Sequence, residues 1–178
     1  MIKVEIVKCL KDNFSYIVHN NNEALVIDPS ESGPLIKSLE KLNLKLKYIL
    51  NTHHHFDHID GNLTLKEKYK CKIIGFIDDK KRIPGIDICL KNEEIFKEGD
   101  FQFKTYHTPG HTSGHICYHF FNDKILFTGD TLFSLSCGRL FEGTYEDMFR
   151  SLSLIKTFDK ETLISVSYTH LTLPTTTP

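Results

Sequence analysis

The segment that most constrains this chain is Asn51-Thr52-His53-His54-His55-Phe56-Asp57-His58-Ile59-Asp60, set at the end of a largely apolar run at 46–50. His53, His55, Asp57 and His58 offer imidazole nitrogens and a carboxylate, which first-row divalent ions such as zinc accept as ligands. On a strand ending, alternate side chains point the same way, so His53 and His55 are expected to grip one ion together. Asp57 and His58 follow as the chain turns and are expected to face a second ion beside the first. The plainer reading is a chance cluster on a solvated loop, or an expression tag. A tag sits at a terminus and is not interleaved with Asp before a helix start, so the ligand reading is the stronger one.

Composition narrows the surroundings of that cluster. The chain has 178 residues, 40% of them apolar and 25% charged, which suits one soluble domain with a core of its own. A formal net charge of −1 gives no broad attraction for phosphate backbones, so no nucleic-acid partner is expected. The first seven residues alternate charged and apolar like a strand, and no apolar run approaches the ~20 residues needed to span a bilayer. These features predict a cytoplasmic protein with no membrane partner, and a monomer is the expected state. Five cysteines without a C-x-x-C pair fit reduced thiols better than a disulfide framework.

Patterning along the chain predicts strands at 3–9, 14–19 and 23–27, then an amphipathic helix at 33–44 and a buried strand at 45–51. Asp60-Gly61-Asn62 is expected to cap a helix running to Lys70, with a strand at 71–76 behind it. This alternation describes one half of a layered α/β domain. Short β segments follow over 86–104, then the loop Tyr106-His107-Thr108-Pro109-Gly110-His111-Thr112-Ser113-Gly114-His115. A hairpin at 116–121 and 124–127 turns at Asn122-Asp123. Thr144 is expected to cap a helix from Tyr145 to about Phe158, and 161–164 starts a last strand. Residues 1–164 read as one domain. Residues 165–178 carry no charge and are rich in Thr and Pro. They are expected not to be the native continuation.

Two later segments complement the first cluster. His111 would join His53 and His55 around one ion, while Asp57 and His58 would hold the other. Asp130, in Thr128-Gly129-Asp130-Thr131, can bridge both because a carboxylate has two oxygens. Two divalent ions about 3.5–4 Å apart can share a water and lower its pKa. The bridging hydroxide is then the nucleophile, with no serine or cysteine required, and Asp57 would orient it. Taken alone, His111 is an ordinary loop histidine and Asp130 a turn residue; independent segments supplying complementary ligands make the signal. His54 is expected to point away and serve structure. His107, His115 and His119 are expected to make local hydrogen bonds or lie at the surface.

These residues resemble the metallo-β-lactamase superfamily, with its H-x-H-x-D-H, single His and later Asp, and most of all its glyoxalase II (hydroxyacylglutathione hydrolase) branch. The likeness covers the chain up to Ile164 and includes Asp12-Asn13-Phe14-Ser15-Tyr16. Its most discriminating part is Cys137-Gly138-Arg139 with Phe141-Glu142-Gly143-Thr144. The resemblance implies a four-layer αββα sandwich with an incomplete C-terminal part. It also implies two divalent metal ions, zinc first and iron or manganese as substitutes. The reaction implied is hydrolysis of a small-molecule glutathione thioester, S-lactoylglutathione, to lactate and glutathione. Arg139 would hold the glutathione carboxylate, and Phe141 stands where the family usually has Tyr, so that hydroxyl contact is missing.

The departures are at the end. A further metal-binding histidine, expected in a G-H-E-Y-type segment after the last strand, does not follow Ile164. His170 lies at about that distance but in unrelated surroundings and is not expected to be a ligand. A chain made as written is therefore expected to bind its second ion weakly and turn over poorly. The competing readings are a persulfide dioxygenase of the same branch, a nucleic-acid-processing relative and a non-catalytic or structural metal protein. Structural zinc sites are closed and usually cysteine-rich, unlike this set.

Overall fold

The computed structural model describes residues 2–20 and 22–167, and the positions named below lie within them. Eleven strands and four α-helices are laid down in the order β1 (Lys3–Cys9), β2 (Asn13–His19), β3 (Glu23–Ile27), α1 (Ser32–Lys41), β4 (Lys45–Leu50), α2 (Phe56–Ile59), α3 (Asn62–Tyr69), β5 (Lys72–Phe76) and β6 (Ile88–Leu90). Then come β7 (Ile95–Glu98), β8 (Phe101–His107), β9 (Ile116–Phe120), β10 (Ile125–Phe127), α4 (Tyr145–Ile155) and β11 (Leu163–Ser165). The strands form two sheets, ordered β1-β2-β3-β4-β5-β6 and β11-β10-β9-β8-β7.

Side-chain alternation sorts each strand between two cores. In β2 and β3, Tyr16, Val18, Leu25 and Ile27 face the second sheet and meet Phe101, Phe103, Tyr118, Phe120 and Phe127. Their neighbours Ile17, Ala24 and Val26 face the opposite way, onto Leu35 and Leu39 of α1 and Leu65 of α3. On the far side of the second sheet, Ile155 of α4 packs with Cys117 and Leu126. The order is therefore helix, sheet, sheet, helix, the four-layer sandwich expected. Each sheet is apolar on both faces because each is covered on both faces.

The differences from the sequence reading are local. The helix expected behind Asp60-Gly61-Asn62 is α3, and a short helix that the sequence does not announce, α2, precedes it. Gly61, not Asp60, is the residue before α3, and it makes no side-chain cap. Its amide instead donates to the Pro29 carbonyl at 2.9 Å, and Asn62 turns inward to donate to Asn51 Oδ1 at 2.8 Å. Strand β8 runs on through His107, so Tyr106 and His107 belong to the sheet rather than the loop. Thr144 does cap α4, reciprocally with Asp147, but the helix ends at Ile155. The last strand reaches Ser165, and its continuation is tied down: Tyr16 Oη donates to the Val166 carbonyl at 2.7 Å and Phe14 N to that of Ser167 at 2.9 Å. His170 lies outside the described residues.

Candidate metal centre

Four chain segments meet beyond the ends of the two sheets, where β4 and β10 stop. β4 ends at Leu50, so Asn51 to His55 is irregular backbone. The strand alternation expected to aim His53 and His55 is therefore not what brings them together. The turn into α2 does so instead, placing their rings 4.7 Å apart between centroids. His111 comes from the loop before β9 and Asp130 from the turn after β10. The result is two groups of possible ligands with donor atoms within 4.8 Å of one another: His53, His55 and His111, and His53, His58 and Asp130. His53 belongs to both.

Distances within the groups are those of a ligand bed. His111 Nε2 lies 3.0 Å from His55 Nδ1 and 3.4 Å from Asp130 Oδ2, while Asp130 Oδ1 lies 3.2 Å from His58 Nε2. One carboxylate thus addresses both groups with separate oxygens, as a bridging residue must. Asp57 sits beside this bed, its Oδ2 at 3.7 Å from His58 Nε2, and Asn13 Nδ2 donates to its Oδ2 at 3.1 Å. Burial is deep: His53, His58 and His111 are 0%, 1% and 3% exposed.

Three of the imidazoles, those of His53, His58 and His111, are oriented by their other nitrogen. His58 Nδ1 lies 3.0 Å from Asp28 Oδ2; a carboxylate accepts, so this nitrogen donates and Nε2 is turned toward Asp130. His111 Nδ1 donates to the Arg139 carbonyl at 2.7 Å. His53 Nδ1 meets Thr52 Oγ1 at 3.0 Å, and its Nε2 is buried without a hydrogen-bond partner. A buried polar atom left bare is costly, and a cation at that point would satisfy it. The donor set of imidazoles and carboxylates suits a divalent ion, so the residues fit the group that the sequence implies.

Electrostatics support the same reading. Burial, reinforced by the neighbouring histidines, pushes His53 well below the usual imidazole range. Burial likewise lowers His55 and His111, which keeps lone pairs available. For His58 burial also pushes down, but Asp130 and Asp28 outweigh it and hold the ring well above its ordinary value. A cation among these carboxylates is favoured, whether a proton or a metal.

Several supporting residues were not singled out in the sequence. Asp28, just past the end of β3, is 3% exposed and takes Thr52 N and Thr52 Oγ1 at 2.7 Å each, besides His58. Its backbone is left-handed, φ 46°, which Asp tolerates better than most residues. Its only sequence signal was an acidic residue at a strand end, and the parallel pairing of β3 with β4 that brings it to the cluster is invisible there. His115 makes local hydrogen bonds, as expected, but fully buried ones. Its ring stacks on His53, with centroids 4.9 Å apart, and its Nε2 accepts from Asp130 N at 3.0 Å. His54 turns away, with Nδ1 3.2 Å from Asp79 Oδ2. His107 stacks on Phe76, and His119 lies tilted against Phe158.

Two glycines are required by close approach. Gly129 has φ 47°, and a Cβ there would stand 2.7 Å from His115 Nε2. A Cβ on Gly138 would overlap the Asp130 carbonyl and stand 2.9 Å from His111 Nδ1. The Cys137-Gly138-Arg139 motif is thereby laid directly on two ligand residues. Beyond it, Phe141 presents its ring edge-on to His55 and His111, 5.3 Å from each, and the Arg139 guanidinium lies 5.4 Å over the Phe141 ring. A cavity of about 500 Å³ opens here, lined by His55, Asp57, His111 and Asp130 together with Phe133, Arg139 and Phe141.

Comparison with known proteins agrees with this geometry. The family described as the metallo-beta-lactamase superfamily matches residues 11–167. A hydroxyacylglutathione hydrolase of Pelagibacter ubique is 54% identical over 165 residues, 92% of this chain and 69% of that protein. The hydroxyacylglutathione hydrolase of Methylococcus capsulatus is 42% identical over 166 residues, 92% of this chain and 65% of its own length. This chain thus spans about two thirds of the curated relatives it matches. Among solved structures, the BLEG-1 B3 metallo-beta-lactamase superposes with a TM-score of 0.87 at 26% identity, covering 94% of this chain and 92% of that one.

Proposed function

Since the chain belongs to the metallo-β-lactamase superfamily and, within it, to the hydroxyacylglutathione hydrolase family, we propose that it hydrolyses S-(2-hydroxyacyl)glutathione, S-lactoylglutathione foremost, to a 2-hydroxy acid and glutathione. The observation that carries this reading is the pair of adjacent ligand groups around His53, spanned by the two oxygens of Asp130 and opening onto a cavity that an arginine helps to line. His53, His55 and His111 would hold one divalent ion, and Asp57, His58 and Asp130 another, with zinc the first candidate and iron or manganese able to substitute. When bound, such ions supply Lewis acidity and ionise water near neutral pH.

The chain's own residues prepare the rest. Asp130 spans the two groups, and its position is fixed by the bond from its amide to His115. Asp57, held by Asn13, borders the cavity and would orient the attacking water. Arg139 presents a planar fork of donors for a glutathione carboxylate. Phe141 offers an apolar surface between that carboxylate and the histidines. The glutathione thiolate is a good leaving group, so no strong general acid is demanded of the cavity.

The test is thiol release from S-lactoylglutathione by the purified chain, with bound metal counted in the same sample. The expected result is turnover that a chelator abolishes and zinc restores. A sample holding two ions per chain and releasing no thiol would sink the proposal. Oxygen uptake with glutathione persulfide would replace it by the dioxygenase reading.

A further inference from the structure

His54, in the middle of the histidine run, opens a second constellation behind the ligand bed. Its Nδ1 faces Asp79 Oδ2 at 3.2 Å and its Nε2 faces Glu142 Oε1 at 3.5 Å. Arg82 closes the circle: Nη1 donates to both Glu142 oxygens, at 2.8 and 2.9 Å, and Nη2 to Asp79 Oδ1. Two carboxylates and two basic side chains therefore alternate around a ring. Ser113 locks it from the side, giving both its amide and its hydroxyl to Glu142 Oε2 at 2.7 Å and accepting from Arg82 Nη2 at 3.1 Å. Asp79 is fully buried and sits against Gly114, where a Cβ would overlap its carboxylate.

The ring joins four segments distant in sequence: the ligand loop, the turn after β5, the loop that carries His111, and the loop that carries Arg139 and Phe141. That last loop is otherwise attached to the centre through its backbone, by Gly138 N to Asp130 O, Phe141 N to His111 O, Gly143 N to Gly110 O and the bond from His111 Nδ1 to the Arg139 carbonyl. It has little core of its own, since Arg139 and Phe141 are both exposed. Glu142 is its one charged side chain with multiple partners; His54 and Arg82 both span from it to the buried Asp79, and Arg82 makes the closer, bidentate contact.

We propose that Arg82 and Glu142 form a clamp holding the 137–143 loop in the register that poses Arg139 and Phe141 over the metal centre, so that Arg82 is a positioning residue for recognition of the glutathione moiety. This rests on the thioesterase reading for its substrate, though not for its geometry. Charge-assisted contacts in several directions give the loop one orientation where neutral bonds along its backbone would allow a hinge.

The test uses Arg82→Met, Arg82→Lys, Glu142→Ala and the double variant Arg82→Met/Glu142→Ala, in the full chain. With both single variants the KM for S-lactoylglutathione is expected to rise about tenfold at nearly constant kcat, the pattern of lost uniform binding. A thioester of a small thiol without the peptide should be hydrolysed as by the wild type. The double variant should be no worse than either single one, because both remove the same contact. Lysine should recover part of the effect, since an ammonium reaches Glu142 but cannot span both carboxylates. Independently of turnover, hydrogen exchange at the amides of Phe141 and Gly143 should speed up, with peptides over 51–60 unchanged. Wild-type exchange in both single variants would overturn the clamp, as would equal loss on the two thioesters. Glu142→Ala guards against misfolding, because it leaves the buried Asp79 paired with Arg82. If the wild type hydrolyses neither thioester, the thioesterase reading falls, and the exchange comparison alone decides the clamp.

Discussion

The ligand bed and the loop that overhangs it are built on opposite principles. His53, His58, His111 and Asp130 are at most 6% exposed, and each is fixed by a further partner that is itself buried or in the backbone. The overhanging loop leaves Phe141 60% exposed and is held by three backbone bonds, the bond from His111 Nδ1 to the Arg139 carbonyl and one ring of charges. A bed prepared this way loses little entropy when an ion arrives, because the side chains are already ordered. A loop attached at its rim can adjust to a flexible peptide substrate. Damage to the bed should therefore appear as lost metal, and damage to the loop as weakened substrate binding.

The sharpest break of that comparison is His53→Ala. With Nδ1 on Thr52, His53 has one nitrogen, Nε2, to offer an ion, so the variant should lose the ion of the His53, His55 and His111 group and with it turnover, whereas His58→Ala should keep that ion. Metal analysis after dialysis against a weak chelator decides it, and loss of every ion in both variants would mean that the groups are not separate sites. A smaller effect is expected for Asp28→Asn, which keeps shape but removes the charge that orients His58. Metal affinity should fall about 10- to 100-fold with near-wild-type folding, as read by competition with a chelating dye.

The smallest effect concerns pH and the loop. Partial burial pushes the Glu142 carboxyl up, but the amide and hydroxyl of Ser113 and the guanidinium of Arg82 outweigh it and hold it at about 2, below its ordinary 4.5. A carboxyl lowered on folding stabilises the fold above its ordinary value, and that stabilisation is lost as pH falls toward the folded one. The Tm advantage of metal-free wild type over Glu142→Ala should therefore be present at pH 7 and shrink steadily from pH 4.5 downward. It should be modest because the pair is partly solvated. An advantage that grows toward pH 3 would contradict the ion-pair account.

How much was legible varied with how local the determinant was. Apolar alternation announced β2, β3 and the β9–β10 hairpin, and Thr144 announced the start of α4, because these rest on neighbours in sequence. The start of α3 is legible at Asp60-Gly61-Asn62, but what holds that turn is not: Gly61 is set by the Pro29 carbonyl and Asn62 by Asn51, partners far along the chain. The same contrast runs through the site. Ligand types at H-x-H-x-D-H, His111 and Asp130 could be read from residue chemistry. For His53 and His55 the expected reason for their approach, strand alternation, does not hold, since β4 stops at Leu50 and the turn into α2 aims them.

By itself, then, the sequence determined which atoms could meet a metal and which periodicities would make layers, because donor chemistry and side-chain alternation are properties of short stretches. Only the tertiary structure decided that His53 lies within reach of both groups, that Asp28 and His115 steady the bed, and that Arg82 reaches Glu142 across the loop of Ser113. Those relations depend on the parallel pairing of β3 with β4 and on the packing of two sheets, which bring together residues that no local pattern links.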